Sequence, residues 1–122
     1  MSALDANFAI DLQNILRPQV ITEDGTGLDI PQVSGIDGIA RAVIRVGDLS
    51  DGTTFTATLQ HSHDGASDWA DAATFAPIST ANSGSSLAVD TRSLHKYVRV
   101  TYTATGGTPN LVASGFLLGF RV

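Results

Sequence analysis

The chain has 122 residues, 43 % of them hydrophobic and only 16 % charged, with a net charge of −5. This length fits one domain, and the acidic balance with a single lysine, Lys96, argues against nucleic acid as the main partner because phosphate binding needs clustered basic side chains. The lack of cysteine excludes disulfides and zinc–thiolate sites, and without a signal-peptide pattern or an apolar run of about 18 residues we expect no membrane contact.

The N-terminal segment fits two kinds of secondary structure. Its apolar residues form one stripe if the segment is helical, and alternate residues share a face if it is a strand. Pro18 ends any helix that begins before it. We favour extended structure at 7–14, because the rest of the chain has a β-like composition. The apolar residues are Leu4, Phe8, Ile10, Leu12, Ile15 and Leu16.

Short strands are predicted along the middle of the chain, beginning with 20–22 and 28–30 around a turn at 23–27. Residues 39–46 and 53–61 alternate with period 2, and we expect the loop between them to make a hairpin. The apolar face of the first holds Ala40, Ala42, Ile44 and Val46, and that of the second holds Phe55, Ala57 and Leu59. A strand at 69–75 should return antiparallel after the Asp64-Gly65 turn.

The last third of the chain is predicted to contain a polar loop and three further strands. Residues 78–86 are small and polar and indicate the loop, followed by a short strand at 87–89. Residues 96–104 alternate clearly. A turn at 106–110 should then pair this strand with the final one, at 111–122.

The final strand is apolar on both faces, whereas a strand with one wet face alternates apolar and polar residues. We expect its even-numbered face to join the core beside Val100 and Tyr102, and its odd-numbered face to meet a neighbouring subunit. Two glycines on that second face would permit close approach of another backbone. The even-numbered face holds Val112, Ser114, Phe116, Leu118 and Phe120, and the odd-numbered face holds Leu111, Ala113, Gly115, Leu117 and Gly119.

Seven to nine short strands separated by turns indicate an all-β fold, an antiparallel β-sandwich or jelly roll. We predict an extended N-terminal arm or first strand at 1–16 and a single β-sandwich domain at 17–122. The composition and periodicity leave the choice between the two architectures open, because strand order is not encoded in alternation.

Residues 61–68 contain candidate metal ligands, but the same residues are also typical of a turn. His61 and His63 are two apart on a strand and point the same way, so they and Asp64 suit an ion. Residues 64–68 resemble a short calcium loop in composition, without the spacing or closing glutamate of a strong motif. The alternative, exposed turn residues, is the one we favour, and we predict no metal and no cofactor.

No catalytic constellation stands out. Asp90, Ser93 and His95 are the residue types of a catalytic triad, but nothing marks a nucleophile elbow or an oxyanion hole. A turn before the next strand is the simpler explanation, and we predict that the chain is not an enzyme.

Two further features of the sequence suggest interaction surfaces. Trp69, the single tryptophan, either packs at the core or its rim, contacts a subunit, or stacks on a sugar. Arg41, Arg45 and Arg99 are predicted to share a sheet face, either solvated or paired with acidic residues of a neighbour.

Several of these segments together resemble a known family. Residues 47–53 read Gly-Asp-Leu-Ser-Asp-Gly-Thr, residues 59–69 read Leu-Gln-His-Ser-His-Asp-Gly-Ala-Ser-Asp-Trp, and residues 96–101 read Lys-Tyr-Val-Arg-Val-Thr. This pattern, which covers most of 7–104, resembles small virion proteins encoded beside the major capsid protein in tailed bacteriophages. Similar hairpins also occur in tail proteins and sugar-binding modules, and the two histidines fall where the family pattern is variable.

The resemblance implies a capsid decoration, or cement, protein. Such proteins are β-sandwich or jelly-roll domains, commonly homotrimers, that bind the major capsid protein on the outer capsid surface and clamp neighbouring capsomers. The chain would be made in the host cytoplasm. Alternatives are a head–tail or tail accessory protein, a carbohydrate-binding module that uses Trp69, and a metal-dependent enzyme at the histidines.

Candidate interface residues come from the apolar N-terminal segment, the odd-numbered face of the last strand and the tryptophan. An N-terminal arm would become ordered on docking, and linked weak contacts would raise avidity. The candidates are Leu4, Phe8, Ile10, Leu12, Ile15, Leu16, Leu111, Ala113, Leu117 and Trp69.

Overall fold

The structure is a computed structural model, which describes residues 9–33 and 36–121. Within these ranges the chain forms eight strands, and a short 3₁₀ turn at Thr91–Ser93 precedes the seventh. No helix of the described ranges is long and apolar enough to cross a membrane. The strands are β1 (Ala9–Ile21), β2 (Gly25–Thr26), β3 (Ile36–Leu49), β4 (Thr54–Ser62), β5 (Ala70–Thr74), β6 (Ser83–Asp90), β7 (Tyr97–Thr105) and β8 (Leu111–Arg121).

Two antiparallel sheets of four strands each pack face to face. The first sheet has the order β1-β8-β3-β6 and the second the order β2-β7-β4-β5. Side chains from both sheets fill one hydrophobic core between them. The predicted all-β sandwich is therefore confirmed.

Alternation places the core residues as predicted on the two clearest strands. On β4, Phe55, Ala57 and Leu59 are buried and the intervening threonines face outward. On β3, the even-numbered residues from 40 to 46 are buried. Tyr102 packs at the core edge, where its ring lies 5.7 Å from that of Phe55. Burying one face of each sheet leaves the other faces to solvent or to a partner.

Of the three predicted pairings between consecutive strands, the antiparallel pair of β4 and β5 is present. The hairpins predicted around 47–52 and 106–110 are absent, because the chain crosses between the sheets at each of these loops. β3 belongs to the first sheet and β4 to the second, and β7 pairs with β2 and β4 while β8 pairs with β1 and β3. The crossing loops hold each other at one end of the sandwich. The buried Thr53 hydroxyl donates to the carbonyl of Gly106 at 3.1 Å, and the amide of Asn110 donates to Ser50 Oγ at 3.0 Å.

Two short elements also differ from the prediction. Residues 83–86, expected in a loop, form the first half of β6 because their backbones pair with β3 from Val43 to Val46. The predicted strand at 28–30 is absent, and β2 lies within the expected turn, where Gly25 pairs with Tyr102. Small polar residues have weak strand propensity, so tertiary pairing decides these segments.

β1 is an irregular edge strand of the first sheet. It is extended over 9–14, as predicted, and its register against β8 shifts on both sides of Leu16. A bulge of this kind lets the consecutive residues Ile15 and Leu16 both enter the core, where each is fully buried. Pro18 follows, at an edge position that tolerates a missing amide proton.

Candidate functional site

The last strand has the opposite orientation from the prediction. Leu111, Ala113 and Leu117 are at most 1 % exposed and belong to the core. Because the turn at 106–110 leads into the other sheet, the odd-numbered face of β8 lies inside the sandwich. These three residues, proposed as interface candidates, are therefore not accessible to a partner in this fold.

The glycines of β8 make room for core side chains and not for a neighbouring subunit. A methyl group at Gly115 would lie 2.6 Å from Ile44 Cδ1, and one at Gly119 would lie 2.5 Å from Ile36 Cγ2. Both distances are shorter than carbon–carbon contacts allow. The small residues of this face therefore fit the interior of the sandwich.

The even-numbered face of β8 is the centre of an apolar surface that we name the outer face. Phe116 and Leu118 are partly exposed at its centre. Leu12 and Val20 of β1 and Ile39 of β3 are 59 %, 65 % and 58 % exposed. The outer face comprises Leu12, Val20, Ile39, Arg41, Val43, Arg45, Val112, Phe116 and Leu118.

Strand pairing makes the outer face continuous across three strands. Leu118 of β8 lies between Leu12 on one side and Arg41 on the other. Phe116 is paired directly with Val43. Directly paired residues of neighbouring strands have Cβ atoms about 5 Å apart, so these side chains touch or nearly touch. Leu12, Leu118, Phe116 and Val43 therefore form one apolar patch, which Asn14 and Ser114 border.

The second sheet shows what a water-facing surface of this protein looks like. Along most of β4 and β7 its outward positions are threonines paired with one another: Thr54 with Thr105, Thr56 with Thr103 and Thr58 with Thr101. Polar β-branched residues are typical of an exposed antiparallel face. The apolar outer face of the first sheet is thus specific to that sheet. Large exposed apolar patches usually mark interaction sites.

The remaining N-terminal interface candidates divide into three groups. Ile15 and Leu16 are buried in the core, and Leu12 is exposed on the outer face. Leu4 and Phe8 lie outside the described residues, as does the side chain of Ile10.

Trp69 lies at the edge of the second sheet and is partly buried. The guanidinium carbon of Arg99 is 4.2 Å from the centre of a Trp69 ring, so that side of the indole is covered. Arg99 Nε donates to Gln60 Oε1 at 2.9 Å, and Gln60 Nε2 donates to Asp71 Oδ1 at 2.9 Å. Arg99 is therefore on the opposite side of the sandwich from Arg41 and Arg45, and the three do not share a face.

The three histidines form a stack. His95, which is distant in sequence, lies between the other two: its ring centre is 4.1 Å from that of His61 and 3.6 Å from that of His63. Parallel rings cannot all direct in-plane nitrogens at one ion, and no group of His, Cys, Asp or Glu within the described ranges is arranged to hold a metal. The sequence signal that was missed is the third histidine at the start of the strand paired with β4.

Hydrogen bonding fixes one nitrogen of the stack. The backbone amide of His95 donates to His61 Nδ1 at 3.1 Å, so this nitrogen carries no proton in the folded chain. Partial burial lowers the pKa of His61 below its ordinary 6.5, and the neighbouring charges of His95 and His63 lower the pKa further. His95 Nδ1 is buried and has no partner among the described residues.

Asp64 closes the loop that follows β4. Its carboxylate accepts hydrogen bonds from the amides of Ala66 and Ser67, each at 2.9 Å, and from the Ser67 hydroxyl at 2.8 Å. These donors, with the Ser62 hydroxyl, hold the pKa of the Asp64 carboxyl well below its ordinary range. Asp64 thus acts as the acceptor that shapes a turn.

Ser62 is the buried centre of the same loop. Its hydroxyl accepts from the amide of Gly65 at 3.1 Å and lies within hydrogen-bonding distance of Asp64 and of the Ser67 carbonyl. Ser62→Ala is expected to destabilise the fold by about 1–3 kcal/mol, because it leaves buried polar groups unsatisfied. Urea unfolding measures this, with the exposed Ser67→Ala as the control. A loss no larger than the control's would contradict the assigned role.

The Asp90, Ser93 and His95 set is a turn. Ser93 Oγ donates to the backbone carbonyl of Asp90 at 2.8 Å, and the Asp90 carboxylate accepts from the amide and side chain of Arg92. The ring of His95 stacks with the other histidines. The three side chains are therefore not linked by hydrogen bonds as the nucleophile, base and orienting carboxylate of a catalytic triad are.

Comparison with known proteins identifies no relative: no protein-family model matches the chain, and no curated protein matches it.

Proposed function

We propose that this chain is a structural protein of a tailed-bacteriophage head, which binds the major capsid protein on the outer capsid surface and holds neighbouring capsomers together. The observation that carries the proposal is the apolar outer face, to which β1, β3 and β8 all contribute exposed side chains. The sequence resemblance supplies the virion as the setting. A head–tail or tail accessory role is the alternative within the same setting.

The size of the outer face suits a stable contact. Three strands about 4.8 Å apart and some ten residues long at about 3.3 Å per residue give a face of several hundred Å². A standard interface buries about 800 Å² per partner, so the face and its rim are of the required order. Apolar area buried at about 25 cal/mol per Å² then offsets the entropy lost on association.

The fold also suits a purely structural role. One core joins the two sheets, and the crossing loops are tied to each other by hydrogen bonds of Ser50, Thr53 and Asn110. A rigid domain loses little conformational freedom when it docks, which favours binding. We further propose a homotrimer, because three linked weak contacts with the capsid give much higher avidity than one.

Sedimentation tests the proposal. Head shells assembled from the major capsid protein encoded beside this chain are mixed with the purified protein, and saturable co-sedimentation is expected. Failure to bind intact, expanded shells at micromolar concentration would contradict the capsid role. Light scattering of the free protein tests the trimer, and a mass of six or twelve subunits would instead favour the head–tail alternative.

A further inference from the structure

We infer that the outer face binds a protein surface that combines apolar side chains with carboxylates, and that Arg41 and Arg45 contact those carboxylates. The inference extends the proposed function, because the major capsid protein would be the partner of this chemistry. It assigns the outer face to a different protein and not to a second copy of this chain.

Arg45 is held in an open position along the sheet surface. It is paired with Gly84 of β6, and a methyl group at Gly84 would lie 2.9 Å from Arg45 Cδ. The glycine therefore lets the arginine stem lie flat across the neighbouring strand. A shallow depression beside it is lined by Val43, Arg45, Gly84, Ser85 and Ser86. An acidic side chain of a partner fits this depression, because its lining combines the Arg45 cation with the hydroxyl-bearing Ser85 and Ser86.

Arg45 also differs from the other arginines in its hydrogen bonding. Arg17 forms an ion pair of 2.6 Å with Asp29, and Arg92 forms one of 3.0 Å with Asp90. Among the described residues, Arg41 donates to the Ser86 hydroxyl, at 3.3 Å. Arg45 has no hydrogen bond or ion pair within the described ranges. Guanidinium groups bind carboxylates in a two-pronged geometry, so this position is suited to an acidic partner.

The same charges disfavour pairing of two copies through this face. Arg41, Val43 and Arg45 follow one another on the outward side of β3. A face-to-face dimer sets arginine against arginine if its two-fold axis runs along β3, or across the strands at the level of Val43 and Phe116. An axis along β8 would instead set the arginines against β1. Like charges placed opposite each other in an interface are strongly unfavourable. Acidic residues on a different protein remove this conflict.

The spacing defines the partner further. Residues four apart on a strand are about 13 Å apart, so an extended partner segment would place acidic residues at positions i and i+4 and an apolar residue at i+2. On this basis the probe is a seven-residue peptide with glutamates at its second and sixth positions, leucine at its fourth and threonine elsewhere. The control peptide replaces both glutamates by lysines.

Nuclear magnetic resonance with labelled protein measures the binding. The glutamate peptide is expected to shift the amide signals of Val43, Arg45 and Ser86, and the lysine peptide is not. Arg45→Glu should weaken this binding about tenfold or more, whereas Lys96→Glu, which changes the net charge equally but lies away from the outer face, should leave it within about twofold. Equal shifts with both peptides, shifts elsewhere, or no shifts overturn the inference.

The shell experiment separates this inference from the proposed function. If the wild-type protein binds shells and Arg45→Glu binds as well as Lys96→Glu, the inference fails and the capsid role stands. If the wild-type protein does not bind shells, the capsid role fails and the peptide experiment alone decides the inference. Self-association that Arg45→Glu or Leu12→Ser abolishes would assign the outer face to a second copy and overturn the inference.

Discussion

Shortening Leu117 to alanine is expected to lower the free energy of unfolding by about 2–5 kcal/mol, because a fully buried leucine loses its transfer free energy and leaves a cavity. Leu117 is 0 % exposed, and its neighbours across β8 and β3 are held by strand pairing, so the site cannot collapse freely. Urea or thermal unfolding of the purified variant measures the loss.

Leu12→Ala is the matched control for this experiment. Leu12 lies in the same sheet, paired with Leu118, but is 59 % exposed, and surface truncations usually change stability by no more than about 0.5 kcal/mol. We expect Leu12→Ala to stay folded and to bind head shells more weakly. If Leu117→Ala is as stable as Leu12→Ala, the assignment of the two faces of the first sheet is wrong.

The clearest strands were predictable because the alternation of apolar and polar residues along a strand shows which side chains are buried. The period-2 pattern of β3 and β4 placed Ala42, Ile44, Phe55 and Leu59 on inward faces, and each of them is buried. Burial of alternate residues is what a half-covered strand requires. The all-β sandwich follows from several such strands.

Strand order was not predictable from the same pattern. Two amphipathic strands joined by a short loop satisfy alternation equally well as a hairpin or as members of facing sheets. The loops at 47–52 and 106–110 cross between the sheets, and the contacts that hold them, such as Thr53 with Gly106, join residues more than fifty positions apart. Because β7 and β8 were predicted to pair as a hairpin, the even-numbered face of β8 was assigned to the core instead of the odd-numbered face.

The outer face was missed for a related reason. It gathers residues from three strands that are adjacent only in space, so the sequence does not show that Val20, Ile39 and Val43 lie on one surface. Of the interface candidates whose side chains the structure describes, Leu12 alone was both predicted and found on this face. The two-sided apolar character of β8 corresponds to one face in the core and one face in the outer face.

Acid is expected to weaken the fold through the histidine stack. The folded-state pKa of His61 is lowered below its ordinary 6.5 by burial first and then by His95 and His63. The unfolded chain therefore binds a proton more readily than the folded chain. The stability that this group contributes is fully present above its unfolded pKa and is lost as the pH falls toward the folded pKa.

Neighbouring carboxylates do not obscure this window. The pKa of Asp64 is held well below its ordinary range by the amides of Ser67 and Ala66, and those of Asp29 and Asp90 are lowered by their arginine partners. These three groups stay ionised between about pH 7 and pH 5, since ordinary aspartates titrate near 3.9. The part of the stability loss across this interval that a His61 substitution removes then reports protonation of His61.

His61→Gln distinguishes titration from packing. Glutamine keeps an acceptor for the His95 amide, which donates to His61 Nδ1 at 3.1 Å, but has no group that titrates near neutrality. We expect unfolding in urea to show a free energy that falls from about pH 7 to pH 5 in the wild-type protein and changes less in the variant. Any difference at about pH 8, above the ordinary pKa of the His61 imidazole, measures the structural cost of the substitution. Equal slopes in the two proteins would show that His61 does not carry the acid sensitivity, because the stacked ring would then bind protons as readily folded as unfolded.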